Sequence, residues 1–158
     1  MIHIRKLQPG DEPALWRVFY SAVHGTASAH YRPEQLAVWA PDNADPAAWE
    51  KRVRSIEPFV AEREGTIIGY ADLQPSGYID HFFVAAEAGR QGVGSQLMVR
   101  IHEQAIDFGI DELYSHVSIT ARPFFEHWGF TVEVEQTVEL RGIELTNYVM
   151  RKRGLLSG

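Results

Sequence analysis

The sequence predicts an α+β fold in which a mixed, mostly antiparallel sheet of about seven strands is flanked by about four helices. Three observations lead there. Residues 78 to 109 read as a strand, a glycine-rich turn and an amphipathic helix in direct succession. Two hairpin patterns, turning at Glu64-Gly65 and at Arg141-Gly142, supply antiparallel neighbours. A further strand at 112 to 117 follows the helix, and a strand–helix–strand crossover makes its two strands parallel.

Composition narrows the classes of function. The chain has 158 residues with 45% hydrophobic and 23% charged side chains, the balance of a globular protein able to bury one substantial core. No apolar run reaches the ~20 residues of a membrane span, and Met1-Ile2-His3-Ile4-Arg5-Lys6 has no signal-peptide character, so a cytoplasmic location without a membrane partner is expected. A formal net charge of −6 argues against nucleic-acid binding, which wants a basic face. The absence of cysteine removes a disulfide framework, a thiolate metal site and an acyl-cysteine route. The seven histidines lack the i,i+4 pairing of a helical zinc site, and no metal is expected.

In chain order, Ile2 to Leu7 alternates as a first strand and stops at Gln8-Pro9-Gly10. Asp11 is placed to cap a helix with Pro13 in its first turn and Leu15, Val18, Phe19 and Ala22 on its apolar face. From Val23 to Tyr31 the pattern dissolves into small, hydroxyl and histidine residues, and a short helical piece runs from Pro33 to Trp39. Asp45-Pro46 opens another helix to about Ser55. Strands at 57 to 63 and 66 to 73 precede the turn Gln74-Pro75-Ser76-Gly77. Tyr78 to Val84, aromatic and β-branched, is a strand with at least one buried face. Leu97, Met98, Ile101, Ala105 and Phe108 then share a helix face closed by Gly109. At the end, Thr131 to Leu140 alternates strictly, with Val132, Val134, Val138 and Leu140 on one side, and Ile143 to Met150 returns beside it. Arg151-Lys152-Arg153 reads as a solvated tail.

The turn before the long helix carries the chemistry. Gly89, Gly92 and Gly94 let the main chain approach a ligand closely, and the helix start behind them presents free N–H groups with no acid in the first turn, which suits an anion such as phosphate. A tight connection without a ligand would use the same glycines. The P-loop pattern is absent, because Ser95-Gln96 rather than Lys-Ser or Lys-Thr follows Gly94, and the mid-chain position does not suit a dinucleotide fingerprint.

Gly89-Arg90-Gln91-Gly92-Val93-Gly94 resembles the pyrophosphate loop of the GCN5-related N-acetyltransferases, with Gly89 where that family normally has Gln or Arg. Ser118 to Phe130 resembles the family's later motif, with Ser118 in place of Asn and Phe125 in place of the Tyr often assigned as general acid. The resemblance implies a single N-acetyltransferase domain over 1–158, whose strands 4 and 5 run parallel and splay apart to admit the pantetheine of acetyl-CoA as co-substrate. It implies cofactor contacts from Phe82, Phe83 and Val84, the loop Gly89, Arg90, Gln91, Gly92, Val93, Gly94 and Ser95, and Ser118, Phe124 and Phe125. Backbone groups of Phe83 and Val84 would bind pantetheine or polarise the thioester carbonyl.

The acceptor, an amine of a small molecule or a protein, would meet a wall that the family builds between its first two helices, here His24, His30, Tyr31 and Trp39. Alternation puts Tyr78, Asp80, Phe82 and Val84 on one face of their strand, so Asp80 is the leading base candidate. His81, Tyr78 and a relayed water come next. Phe125 cannot protonate a leaving thiolate, which leaves water, Ser118, Thr120 or the acceptor's own proton. A non-catalytic acyl-CoA sensor and an acyltransferase using another acyl group are the alternatives on the same fold. A homodimer is admitted as the assembly, with no residue that decides it.

Overall fold

The computed structural model describes residues 1 to 157. The strands are β1 (Ile2–Lys6), β2 (Phe59–Arg63), β3 (Thr66–Ala71), β4 (Tyr78–Ile79), β5 (Phe82–Val84), β6 (Leu113–Ser118), β7 (Thr131–Leu140) and β8 (Ile143–Lys152). The helices are α1 (Glu12–Ser21), α2 (Pro33–Trp39), α3 (Pro46–Ile56), α4 (Val93–Asp107) and α5 (Arg122–His127). Two four-stranded sheets result, ordered β1-β2-β3-β5 and β4-β6-β8-β7. Every pairing is antiparallel except β4 with β6.

The expected mixed, mostly antiparallel α+β architecture with one parallel strand pair is found, and it differs in detail, with eight strands divided between two sheets. The predicted strand 78 to 84 is broken at Asp80-His81, and its halves belong to different sheets. Tyr78 and Ile79 pair with Tyr114 and Ser115, whereas Phe82, Phe83 and Val84 pair with Ala71, Tyr70 and Gly69.

The helices pack where side-chain size allows. A Cβ on Gly69 would lie 2.9 Å from Val93 and 3.2 Å from Leu97, so glycine here lets α4 settle on β3. Neighbours along a strand point to opposite faces, and the Tyr70 ring meets Trp49 of α3 and Phe83 on the other side. Phe19 of α1 joins the same aromatic cluster, 4.9 Å from the Phe83 ring. α4 buries Val93, Leu97, Met98, Ile101 and Ala105 and ends as expected, with Gly109 at φ 71 and the Ile110 N–H returning to the Ala105 carbonyl at 2.8 Å. Phe108 lies beyond that end and is 69% exposed, so it does not belong to the apolar face assigned to it.

Three further expectations change. Residues 22 to 29 are not patternless: α1 runs on into a wide turn, closed by the Ala27 N–H on the Ala22 carbonyl, and then a tight one. In β7 the register shifts between Val132 and Val134, which breaks the strict alternation and leaves Val134 52% exposed. The basic tail is part of β8 through Lys152, and Arg151 and Arg153 both pair with Glu112 and Glu133. No helix among the described residues is long and apolar enough to cross a membrane.

Candidate active site

The break between β4 and β5 is made by one carboxylate. Asp72, fully buried just beyond β3, accepts the N–H of Asp80 at 3.0 Å and of His81 at 2.6 Å through Oδ1. Its other oxygen takes the Gln74 amide at 2.7 Å, and its own N–H donates to the His81 carbonyl at 3.1 Å. Two backbone donors that lose their ladder where the chain changes sheet are thereby satisfied, which a buried backbone requires. Burial pushes the Asp72 carboxyl up to about 6, against the opposing pull of those hydrogen bonds. No sequence signal marked this residue.

Beyond the break, β5 has a free edge. The Asp72 N–H to His81 carbonyl and Ala85 N–H to Ile68 carbonyl bonds fix which antiparallel pairs exchange hydrogen bonds, and Phe83 opposite Tyr70 is the next such pair between them. Phe83 therefore turns its N–H and carbonyl toward β3, and those of Phe82 and Val84 face away from it. This corrects the expected role of the Phe83 backbone, since what Phe83 contributes is its ring.

A cleft of about 370 Å³ opens on that edge. Of the residues predicted to hold the cofactor, Phe82, Phe83, Val84, Gly89, Arg90, Gly92, Val93, Gly94, Ser95, Ser118, Phe124 and Phe125 line it. Gln91 does not: its side-chain amide donates to the Glu87 carbonyl at 3.3 Å. Gly92 takes the left-handed conformation at φ 84 immediately before α4, and Gln96 is the first residue to bond back, to the Gly92 carbonyl. The N–H groups of Val93, Gly94 and Ser95 thus stand outside the helical ladder, with no acid in the first turn. A Cβ on Gly94 would come 3.2 Å from the Phe124 ring, which forms the opposite wall. The arrangement fits a phosphate-bearing, elongated ligand.

A second pocket of about 200 Å³ lies next to the first, and Trp39, Phe83 and Ser118 line both. Its remaining wall comes from Tyr31, Asp80, His116 and the β7–β8 hairpin residues Val138, Leu140, Leu145, Thr146 and Asn147. Of the residues predicted for the acceptor wall, Tyr31 and Trp39 line this second pocket. His24 stacks on Tyr20 and bonds to the Ala40 carbonyl at 2.8 Å, and His30 is exposed with Nδ1 2.9 Å from Thr120 Oγ1, so neither reaches the pocket. The Tyr31 hydroxyl donates to the Thr146 carbonyl at 2.6 Å and accepts the Ile119 N–H at 3.0 Å, tying α2's entrance to β8 and β6.

The three base candidates are separated by the break. Asp80 lines the second pocket, and its Oδ2 is paired with Arg52. His81 turns into the aromatic cluster of Phe19, Trp49, Tyr70 and Phe83, where Nδ1 lies 3.0 Å from the Tyr70 hydroxyl, and burial pulls its pKa down to about 4. Tyr78 packs on Tyr114 and His116 and lines neither pocket, and burial, with the nearby Asp80 and Asp72 charges, pushes its hydroxyl to about 12. At the position of the usual acid, Phe125 is buried edge-on against Phe82 and Phe130. Ser118 accepts the Ala121 N–H at 3.0 Å, which leaves its hydroxyl proton available where the two pockets meet.

Comparison with known proteins agrees with this geometry. Residues 27 to 152 match a family model described as an acetyltransferase (GNAT) domain. The chain is 37% identical over 150 residues to an uncharacterized N-acetyltransferase, YafP, of Escherichia coli (strain K12), an alignment covering 95% of each. A GCN5-related N-acetyltransferase of Rhodopseudomonas palustris superposes with a TM-score of 0.91 at 25% identity, over 96% of this chain and 94% of that one. The PaiA N-acetyltransferase of Thermoplasma acidophilum, solved in complex with coenzyme A, gives 0.72 at 19% identity over 97% and 99%, a likeness of fold.

Proposed function

This chain belongs to the GNAT family of acetyltransferases, and we propose that it transfers the acetyl group of acetyl-CoA to an amine by direct attack within its two joined pockets. The observation that carries the reading is the junction at Trp39, Phe83 and Ser118, with a helix start suited to phosphate on one side and a carboxylate on the other. Acetyl-CoA supplies the thioester that the amine attacks and the thiolate that leaves. The N–H groups of Val93, Gly94 and Ser95 bind its pyrophosphate at the positive end of α4. Phe82 and Val84 offer the free edge of β5 to the pantetheine, with a backbone N–H directed at the carbonyl oxygen as charge builds there.

Asp80 takes one proton from the incoming ammonium and passes it to solvent. The nitrogen sheds a second proton as the amide forms, and the Ser118 hydroxyl relays it to the departing sulfur, so no tyrosine is needed at Phe125. Atoms and charge balance: ammonium and thioester become amide, thiol and one released proton. The test is calorimetry with acetyl-CoA followed by thiol release on adding amines. Binding without any acetylated product would favour the sensor reading, and faster turnover with a longer acyl-CoA would change the donor.

A further inference from the structure

The acceptor pocket is small and mostly apolar, with one carboxylate and no lysine or arginine in its lining, and these features select among amines. We propose, building on the acetyltransferase reading, that the acceptor is a free primary amine with an apolar, ring-sized body and no carboxylate, its ammonium held by Asp80. Size is the first argument. A cavity of about 150 Å³ lined by apolar side chains is enough for benzene, so about 200 Å³ takes a ring with a short aminoalkyl arm.

Wall chemistry is the second. Trp39, Phe83, Leu145 and Val138 present apolar surface, and no lysine or arginine lines the pocket. A carboxylate on the substrate would lose its water beside Asp80, and the Arg52 guanidinium there is already engaged by that residue. Arg52 engages only Oδ2 of Asp80, and Oδ1 has no hydrogen-bond partner among the described residues, so it can accept an ammonium.

Closure is the third. An extended peptide that added to the sheet beside Leu145 to Asn147 would need a free edge on β8, and β8 has none here. β7 covers one edge, and β6 covers the other only as far as Asn147. Where β6 stops, the Tyr31 hydroxyl takes the Thr146 carbonyl and the Gln35 amide takes the Glu144 carbonyl at 2.8 Å.

The experiment compares 2-phenylethylamine, L-phenylalanine, spermidine and an N-terminally blocked lysine peptide, both in acetyl transfer and in calorimetry against the protein saturated with CoA. Phenylethylamine should exceed phenylalanine by at least ~100-fold in kcat/KM, the scale on which an unpaired buried polar group is rejected, and should bind the CoA complex more tightly. Leu145→Arg should narrow that ratio by supplying a cation. If that variant does not fold, Val138→Arg on the outer strand serves the same purpose. Equal or better use of phenylalanine, spermidine or the lysine peptide overturns the assignment. So does a protein that binds acetyl-CoA and acetylates none of the four, which leaves the cofactor reading standing, whereas failure to bind acetyl-CoA at all removes both.

Discussion

The Asp72 carboxylate accepts the His81 N–H at 2.6 Å from a fully buried position, at the point where the chain leaves the sheet of β4 for the sheet of β5. The same oxygen holds the Asp80 N–H, so the carboxylate that makes the gap also aims the proposed base into it.

Stability should record this burial. Asp72 titrates at about 6 in the fold against an ordinary 3.8, so its contribution is fully present below the lower value and is lost as pH rises through the upper one. His81 acts in the opposite sense, since its value drops from 6.5 to about 4 and its contribution is lost as pH falls through that window. Asp72→Asn removes only the first effect. Across urea titrations from about pH 3.5 to 7, wild type should lose roughly 3 kcal/mol relative to the variant. A difference that stays flat with pH would show that Asp72 ionises normally.

The cofactor loop gives a backbone prediction. Gly92 sits at φ 84, where a β-branched residue is strained by ~1–2 kcal/mol, so Gly92→Val should displace the start of α4 and weaken acetyl-CoA binding at least ~10-fold. Gly92→Asn should lose less, because asparagine tolerates that conformation. Calorimetry beside a thermal melt separates lost affinity from lost fold. Unaltered affinity in the valine variant would remove the phosphate assignment.

How far the sequence revealed this depended on the range of each signal. The glycine loop and α4 were readable because their determinants lie within a few residues: glycines before an apolar stripe and a closing Gly109. The break at Asp80-His81 was not, because alternation of side chains says nothing of which neighbour a strand pairs with, and the group that enforces it comes from the end of β3. Residue type misled at the acceptor wall. His24 and His30 have suitable chemistry, yet the second pocket is lined instead by Leu145, Thr146 and Asn147, brought from the far end of the chain by the closing hairpin.

That difference is measurable at the acceptor wall. Tyr31→Phe leaves the Thr146 carbonyl and Ile119 N–H without their partner and should destabilise the protein by about 1–3 kcal/mol while raising the acceptor KM several-fold. His30→Ala, at an exposed position outside the pocket, should change the acceptor KM by less than ~2-fold. Separate titrations of acceptor and acetyl-CoA distinguish the two effects. A larger defect in His30→Ala than in Tyr31→Phe would return the wall to the segment between the first two helices.

The base assignment rests on where the break turns each side chain. Asp80 opens on the acceptor pocket with one oxygen held by Arg52, whereas His81 is enclosed by four aromatic rings and hydrogen-bonded to Tyr70. His81 and Tyr78 line neither pocket, and a tyrosine near 12 remains protonated at neutral pH. Asp80→Asn should therefore lower kcat by about 10²–10⁴ with acetyl-CoA affinity unchanged, since the cofactor cleft does not include it. Arg52→Met should reduce kcat less, by freeing Asp80 to rotate rather than by removing it. His81→Phe keeps an aromatic ring in the cluster and loses the bond to Tyr70, so it should lower stability by about 1 kcal/mol and leave kcat within a few-fold. Full activity in Asp80→Asn together with a collapse of kcat in a folded His81→Phe would transfer the role to the imidazole.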